Sequence, residues 1–422
     1  MKRSAILTVT ALALVPSTMF SQQVASPRLS AILALPAETR GQAVDELVDS
    51  LERFGGPLVE RQTDAIGMVT FLWRGDREST SAVVVTPSTL YDFDGSIMSR
   101  IDGTDVWFRS LTTPPKARFA YRFEIDGPLT PFDKDPRFFA RPPTWFKDPT
   151  NPRIFVYETG DTASVLELVG APDGRWSRRD PGRRAGSVEH TNVESSFLRG
   201  QRSVWIYRPP GYDTVTAALP VLVLTDGDSY LRDLAADRTL DNLIHEGQIP
   251  PILAVGVTSP SREDDLACNA AFGDFIAMEL LPWLASTEHA TDRPQGVALG
   301  GYSLGGLAAA CAALRHSDRI GMVLAQSGSF RRAGPGDGEP EGVARSVSRM
   351  DTTPVRFYVE VGIHEVGPFF GGDPSTLTAN RHLRDVLIAR GYEITYAEHA
   401  SGHEPVAWRE SLHLGLIDLF GR

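Results

Sequence analysis

The sequence predicts an α/β fold in two parts: a mainly parallel sheet with helices on both faces, preceded by a smaller antiparallel β-sandwich. Three observations predict it. From about residue 191 onward, apolar strand-like runs alternate with helical patterns, which is the rhythm of a parallel sheet built from βα units. Earlier, between Met68 and Ile125, the runs are short, rich in Val, Phe, Tyr and Trp, and separated by Gly, Asp and Pro, which is the rhythm of a sandwich of roughly 100 residues. Finally, the apolar run Val297-Ala298-Leu299 enters Gly300-Gly301-Tyr302-Ser303-Leu304-Gly305-Gly306, where a strand must turn sharply into a helix.

Taken in chain order, the first residues carry Lys2 and Arg3, then an apolar stretch from Ala5 to Val15, then the small residues Ser17, Ser21 and Ala25. That order is the pattern of a secretory signal, and the stretch falls short of the roughly 20 residues a membrane helix needs. Residues 1–25 are therefore set apart from the fold, and the mature protein is expected in the periplasm or outside the cell, with no membrane insertion. Pro36 to Phe54 places Val44, Leu47, Val48 and Leu51 at helical spacing and stops at Gly55-Gly56-Pro57. The strand candidates Met68–Gly75, Ser81–Pro87, Asp105–Leu111 and Ala117–Ile125 follow, and the Pro-rich stretch 131–152 reads as irregular chain. Residues 26–170 form the expected first domain. Residues 171–190, where arginines are broken by Asp180, Pro181 and Gly182, read as a solvated linker. The second domain, 191–422, holds apolar strand candidates in Ser203–Tyr212, Leu219–Tyr230 (a strand running into a polar turn), Ile252–Ser259, Gln295–Ser303, Met322–Phe330, Val355–Glu365 and Glu393–Ala397, with helical patterns such as Phe272–Leu284 and Leu304–Arg315 between them.

Composition narrows the function. The chain has 422 residues, 42% of them hydrophobic, so a large core is within reach. Its net charge is −11 and no stretch is a run of Lys or Arg, which argues against a nucleic-acid partner. The two cysteines, Cys268 and Cys311, make no disulfide framework and no zinc site, and sequence leaves their pairing open. No metal or other cofactor is expected. A lone Asp226-Gly227-Asp228 without a distal Glu is a weak calcium signal.

The chemistry is expected at Ser303. Gly301-Tyr302-Ser303-Leu304-Gly305 is a Gly-x-Ser-x-Gly pattern with a strand before it and a helix after it, the context in which a serine hydroxyl is held out as a nucleophile. A serine needs a base and a group that orients the base. In this fold class these follow in the order acid, then His. Of the histidines in the last region, His382 and His413 sit in helical patterns, whereas His403 lies in a turn after a strand, with His399 as its competitor. The acid is expected just past the preceding strand at Glu365, with Glu360, inside that strand, or a Ser-His dyad as alternatives. Donors for the developing oxyanion are expected at the N–H of Leu304 and at the amide of Gly227 or Asp228.

Gly55–Gly75, Ile101–Ser110 and Asp148–Phe155 in the first part, and Ser261–Trp283, the serine stretch, Leu324–Phe330, Val361–Glu365 and Ser401–Phe420 in the second, carry a family likeness. Through them the chain resembles the enterochelin (enterobactin) esterases of the esterase-D-like branch of the α/β-hydrolases. The resemblance implies a small-molecule ester substrate, a catecholate siderophore lactone in ferric or iron-free form, cleaved by Ser303, His403 and Glu365. It also draws Arg262, Asn269 and Trp408 in as substrate contacts. The Arg262 guanidinium would suit an oxygen-rich anion, or would pair with Glu263, Asp264 or Asp265. Arg331-Arg332 stand where relatives often place aromatics, so Arg331 is a further substrate-binding candidate. Feruloyl, acetyl-sugar or xenobiotic esters form the competing substrate class, and a non-catalytic binding protein on the same fold is the alternative of another kind.

Overall fold

The computed structural model describes residues 26–61, 66–87, 93–130, 145–334, 338–366 and 374–421. The expected signal segment and residues 131–144 of the Pro-rich stretch lie outside the described residues.

Helix α1 (Pro27–Leu33) is capped by the Ser26 hydroxyl, and α2 (Ala37–Phe54) buries Val44, Leu47, Val48 and Leu51, the stripe read from the sequence. Strands β1 (Leu58–Arg61), β2 (Gly67–Arg74), β3 (Val83–Pro87), β4 (Ser99–Arg100), β5 (Val106–Thr113), β6 (Arg118–Ile125), β7 (Trp145–Phe146), β8 (Ile154–Val156) and β9 (Thr162–Glu167) follow, with the short α3 (Phe93–Ser96) after β3. They form two antiparallel sheets, one ordered β1-β2-β5-β4 and one β3-β6-β9-β8 with β7 added to β6. The period of two sorts their side chains. Leu72, Val106 and Phe108 pack with the α2 stripe. Val69 and Phe71, on the opposite face, share a cluster with Val83, Val85, Phe119, Tyr121 and Phe123 of the second sheet. Ala120, Ala163 and Val165, on that sheet's far face, pack with Val406 from the end of the chain. The layers therefore run helix, sheet, sheet, and then the C-terminal helix.

The second part supplies β10 (Ser187–Ser195), β11 (Gly200–Arg208), β12 (Val221–Leu224), α4 (Gly227–Arg232), α5 (Ala236–His245), β13 (Leu253–Val257), α6 (Arg262–Leu266), α7 (Ala270–Asp274), α8 (Leu281–Thr287), β14 (Val297–Tyr302), α9 (Leu304–Arg315), β15 (Met322–Gln326), α10 (Gly342–Arg349), β16 (Arg356–Gly362), α11 (Thr376–Ala389), β17 (Ile394–His399) and α12 (Pro405–Phe420). One eight-stranded sheet runs β10-β11-β13-β12-β14-β15-β16-β17. β10, β11 and β13 pair antiparallel, and from β13 to β17 every pair is parallel. Its two faces feed two cores. One takes Phe272, Phe275 and the Ala-rich face of α9, the other Tyr230, Leu240, Trp408 and Leu416. Between α7 and α8 the helix widens into a π turn at Phe275–Leu280. The two cysteines are joined, with Cα atoms 5.5 Å apart, tying the chain before α7 to α9.

The expected linker 171–190 is structured at both ends: Gly174–Ser177 forms a buried turn with Trp176 stacked on His413 at 5.7 Å, and β10 begins at Ser187, whereas Arg178–Gly182 is exposed. The arginines hid a tryptophan anchor. His413 carries a testable consequence. Burial lowers its imidazole from 6.5 to about 4, so the folded state disfavours the proton that the unfolded chain accepts. The sign is therefore a loss of stability as pH falls from about 6.5 toward 4, worth about 3 kcal/mol from this group alone. Urea unfolding of His413→Leu at pH 7 and 4.5 should show an acid loss about 2 kcal/mol smaller than the parent's. Equal acid losses would remove His413 as a source of acid sensitivity.

Candidate active site

The site forms at the carboxyl ends of β12, β14, β15 and β16, where a parallel sheet presents its loops. β14 ends at Tyr302, α9 begins at Leu304, and Ser303 between them holds φ 53° and ψ −119°. That left-handed twist at a non-glycine residue is the strain of a sharp strand-to-helix turn. The flanking glycines permit it by close approach. A Cβ on Gly301 would lie 2.4 Å from the Gly305 carbonyl carbon, and one on Gly305 would lie 2.1 Å from Thr225 Oγ1. The Ser303 N–H donates to Gln326 O at 2.9 Å, locking the turn to β15.

His403 reaches the turn from the connection between β17 and α12. Its Nε2 lies 3.0 Å from Ser303 Oγ, and its Nδ1 lies 2.7 Å from Glu365 Oε2. Glu365 sits just past β16 and is only 3% exposed, so its charge must be met by donors. Oε1 accepts from Ser327 Oγ at 2.6 Å and from Gly362 N at 2.8 Å. Ser327 in turn accepts from Trp408 Nε1 at 2.8 Å. Trp408 stacks on Tyr302 at 4.4 Å and meets the His403 ring edge-on at 4.9 Å. A carboxylate, an imidazole and a hydroxyl are thus held in line by buried, bonded neighbours. Such a line can move the serine proton and charge the oxygen for attack on a carbonyl.

The same geometry disposes of the competitors. His399 lies 3.2 Å from Glu360 Oε2, so the second histidine and the second glutamate are paired with each other, not with Ser303. Glu360 also accepts from Gln326 at 2.7 Å, from Tyr358 at 3.0 Å and from Ser411. Burial opposes its charge, but His399 and these donors hold the carboxyl below its ordinary value, and Glu360 raises His399 against its own burial.

A model of the putative esterase family matches residues 195–419, and a model of the enterochelin esterase N-terminal family matches residues 68–177. The chain belongs to the putative esterase family. The esterase is 28% identical to the iron(III) enterobactin esterase of Escherichia coli K12, over 86% of this chain and 94% of the other. It is 26% identical to an iron(III) salmochelin esterase of Escherichia coli O6:H1, over 82% and 86%. Among solved structures it is similar to the ferric enterobactin esterase of Salmonella typhimurium, with a TM-score of 0.72, 26% identity and coverage of 88% and 98%. It is also similar to the enterobactin esterase of Shigella flexneri determined in the presence of enterobactin, with a TM-score of 0.69, 28% identity and coverage of 86% and 95%.

The remaining expected site residues fall into place less evenly. Leu304 and Gly227 open α9 and α4 at the ends of the neighbouring parallel strands β14 and β12, with Asp228 next in line. Helix starts of this kind leave N–H groups without intrahelical partners. Arg262 does not pair with Glu263, Asp264 or Asp265. It grips Asp226 through Nε at 2.8 Å and Nη2 at 2.9 Å, and lies 5.3 Å over the Tyr302 ring. Burial pushes the Asp226 carboxyl up and the Arg262 charge pulls against it. Asn269 caps α7: Oδ1 accepts from Ala271 N and Nδ2 donates to Asp264 O. Trp408 is corrected, since it is 4% exposed with its indole N–H committed, and it supports the imidazole from within the core. Arg331 is half-buried, which lowers its guanidinium, and the adjacent Arg332 pairs with Glu263. Ser327, Ser329 and Asp226 were missed. Ser329 Oγ lies 3.2 Å from Ser303 Oγ. The signal available was position: Ser327 and Ser329 follow the end of β15, the strand next to the one that leads into Ser303.

Proposed function

We propose that this esterase cleaves the ester bonds of a catecholate siderophore, with Ser303 as nucleophile, His403 as general base and Glu365 as the group that orients the base. The observation that carries the reading is the continuous hydrogen-bonded line from Glu365 through His403 to Ser303 at 2.7 and 3.0 Å. With Nδ1–H donating to Glu365, Nε2 is left to accept the serine proton. Ser303 Oγ then bonds to the ester carbonyl carbon, and the carbonyl electron pair moves to the oxygen. The N–H groups of Leu304 and of Gly227 or Asp228 meet that charge, an interaction whose loss typically costs about 100- to 1000-fold in rate. Collapse breaks the bond to the alkoxide, which takes its proton from His403. Water repeats the sequence on the acyl-enzyme and frees Ser303.

The substrate class is supported by relatives named as iron(III) enterobactin and salmochelin esterases, and by similar structures obtained with enterobactin and with 2,3-dihydroxy-N-benzoyl-serine. We read the two facing N-terminal sheets as a β-sandwich domain that precedes the esterase domain. Chromatography of enterobactin incubated with the protein should show its lactone opened and then cut to 2,3-dihydroxybenzoyl-serine units. Feruloyl and acetyl-sugar esters should be turned over far more slowly. Intact enterobactin beside rapid hydrolysis of either competitor would overturn the siderophore reading and leave the serine chemistry standing.

A further inference from the structure

His403 rides on a short connection, residues 400–404, that is not held by its own sheet alone. At one end Ala400 O accepts from Arg118 N at 3.2 Å. At the other, Glu404 Oε2 accepts from Ala120 N at 2.9 Å. Arg118 and Ala120 are alternate residues of β6, so their N–H groups leave the same edge of that strand. β9 lies along the opposite edge, and among the described residues β3 pairs with β6 from Tyr121 to Ile125. The His403 connection takes the place that a continued β3 would occupy.

Glu404 is unusual in its own right. It stands at the N-cap of α12 yet makes no side-chain cap bond to that helix, and it is 3% exposed. A buried carboxylate is costly unless it is bonded, and this one is turned away from its own helix toward an N–H of the N-terminal sheet. Just beyond it, Val406 is fully buried with Ala120, Phe155, Ala163 and Val165, and the Arg409 guanidinium lies 4.5 Å over the Phe155 ring. The same N-terminal part also reaches α4, the helix that opens at Gly227: Glu158 N donates to Asp233, and the Glu158 carboxylate pairs with Arg232.

We propose that Glu404 and the open end of β6 form a clamp that positions His403, so that the N-terminal domain is part of the catalytic geometry. Glu404 is a positioning residue: it acts through the connection that carries His403, and it sets where the imidazole stands. The inference rests on the catalytic reading of His403. An imidazole carried on a connection with one end released samples orientations in which Nε2 misses Ser303 Oγ, and a misplacement near 1 Å can cost about 100-fold in rate.

The test compares Glu404→Ala and Glu404→Gln in the full-length protein with p-nitrophenyl butyrate. Active sites are counted by stoichiometric labelling with a fluorophosphonate, and thermal midpoints are recorded. Glu404→Ala is expected to lower kcat per labelled site by about 10- to 100-fold with KM within about two-fold of the parent. Glu404→Gln keeps an amide oxygen that accepts from Ala120 N–H and is expected within about three-fold of the parent. A kcat per labelled site for Glu404→Ala within about two-fold of the parent overturns the clamp, as does an equal loss in Glu404→Gln. Counting labelled sites removes unfolded protein from the comparison. Failure of the parent to label at Ser303 would instead strike the catalytic reading itself.

Discussion

Ser303→Ala and His403→Ala are each expected to lower kcat by about five to six orders of magnitude, and the double variant is expected to fall no further. The reason lies in the 3.0 Å bond between them. Without the imidazole the hydroxyl keeps its proton and is a poor nucleophile; without the hydroxyl the imidazole has no proton to move. Either loss removes the same step, so the effects do not add. Both variants should fold. Ser303 keeps its backbone bonds to Gln326 and Ser329 when its hydroxyl is removed, and His403 is anchored through its chain neighbours Ala400 and Glu404. Hydrolysis of p-nitrophenyl butyrate, with circular dichroism as the folding control, measures the effect. A His403→Ala variant with a tenth of parental activity would end the assignment of the base. A Ser303→Ala variant that active would end the serine mechanism.

Much of the second domain was legible because local chemistry dictated it. Apolar runs such as Val221–Leu224 and Val297–Leu299 have every side chain buried, as interior parallel strands require, and the glycines around Ser303 announced a turn that only small residues allow. The meeting of Ser303, Glu365 and His403 was legible in part because strand ends in a parallel sheet share one side. What stayed hidden depended on partners far away in sequence. Arg262 met Asp226 at the end of β12, while the carboxylates beside it in sequence, Glu263 and Asp265, pair with Arg332 and Arg202. Trp176 was masked by the arginines around it, although one aromatic residue was enough to anchor that segment on His413. Pairing of Cys268 with Cys311 required the packing of α7 on α9, which no spacing rule supplies. Asn269 and Trp408 share a scaffold role that their place in the sequence conceals. Each stands close to the site in sequence, and each spends its polar atoms on the scaffold.

Glu365→Gln is expected to lower kcat by about 10³- to 10⁴-fold, although it changes little in shape. The donors around the carboxylate cause the loss. Oε1 accepts from both Ser327 O–H and Gly362 N–H, so in the variant the amide oxygen must occupy that position. The NH2 group is then turned toward His403 Nδ1, where Oε2 now lies at 2.7 Å. Two donors cannot face each other, so Nδ1 must give up its proton and accept. The proton then sits on Nε2, which donates to Ser303 Oγ instead of receiving from it, and the base is held in the wrong tautomer. Glu360 cannot take over, since it is committed to His399, Gln326, Tyr358 and Ser411. Steady-state kinetics of Glu365→Gln beside Glu360→Gln separates the two carboxylates. If Glu365→Gln stays within ten-fold of the parent while Glu360→Gln collapses at unchanged stability, the acid has been placed on the wrong glutamate.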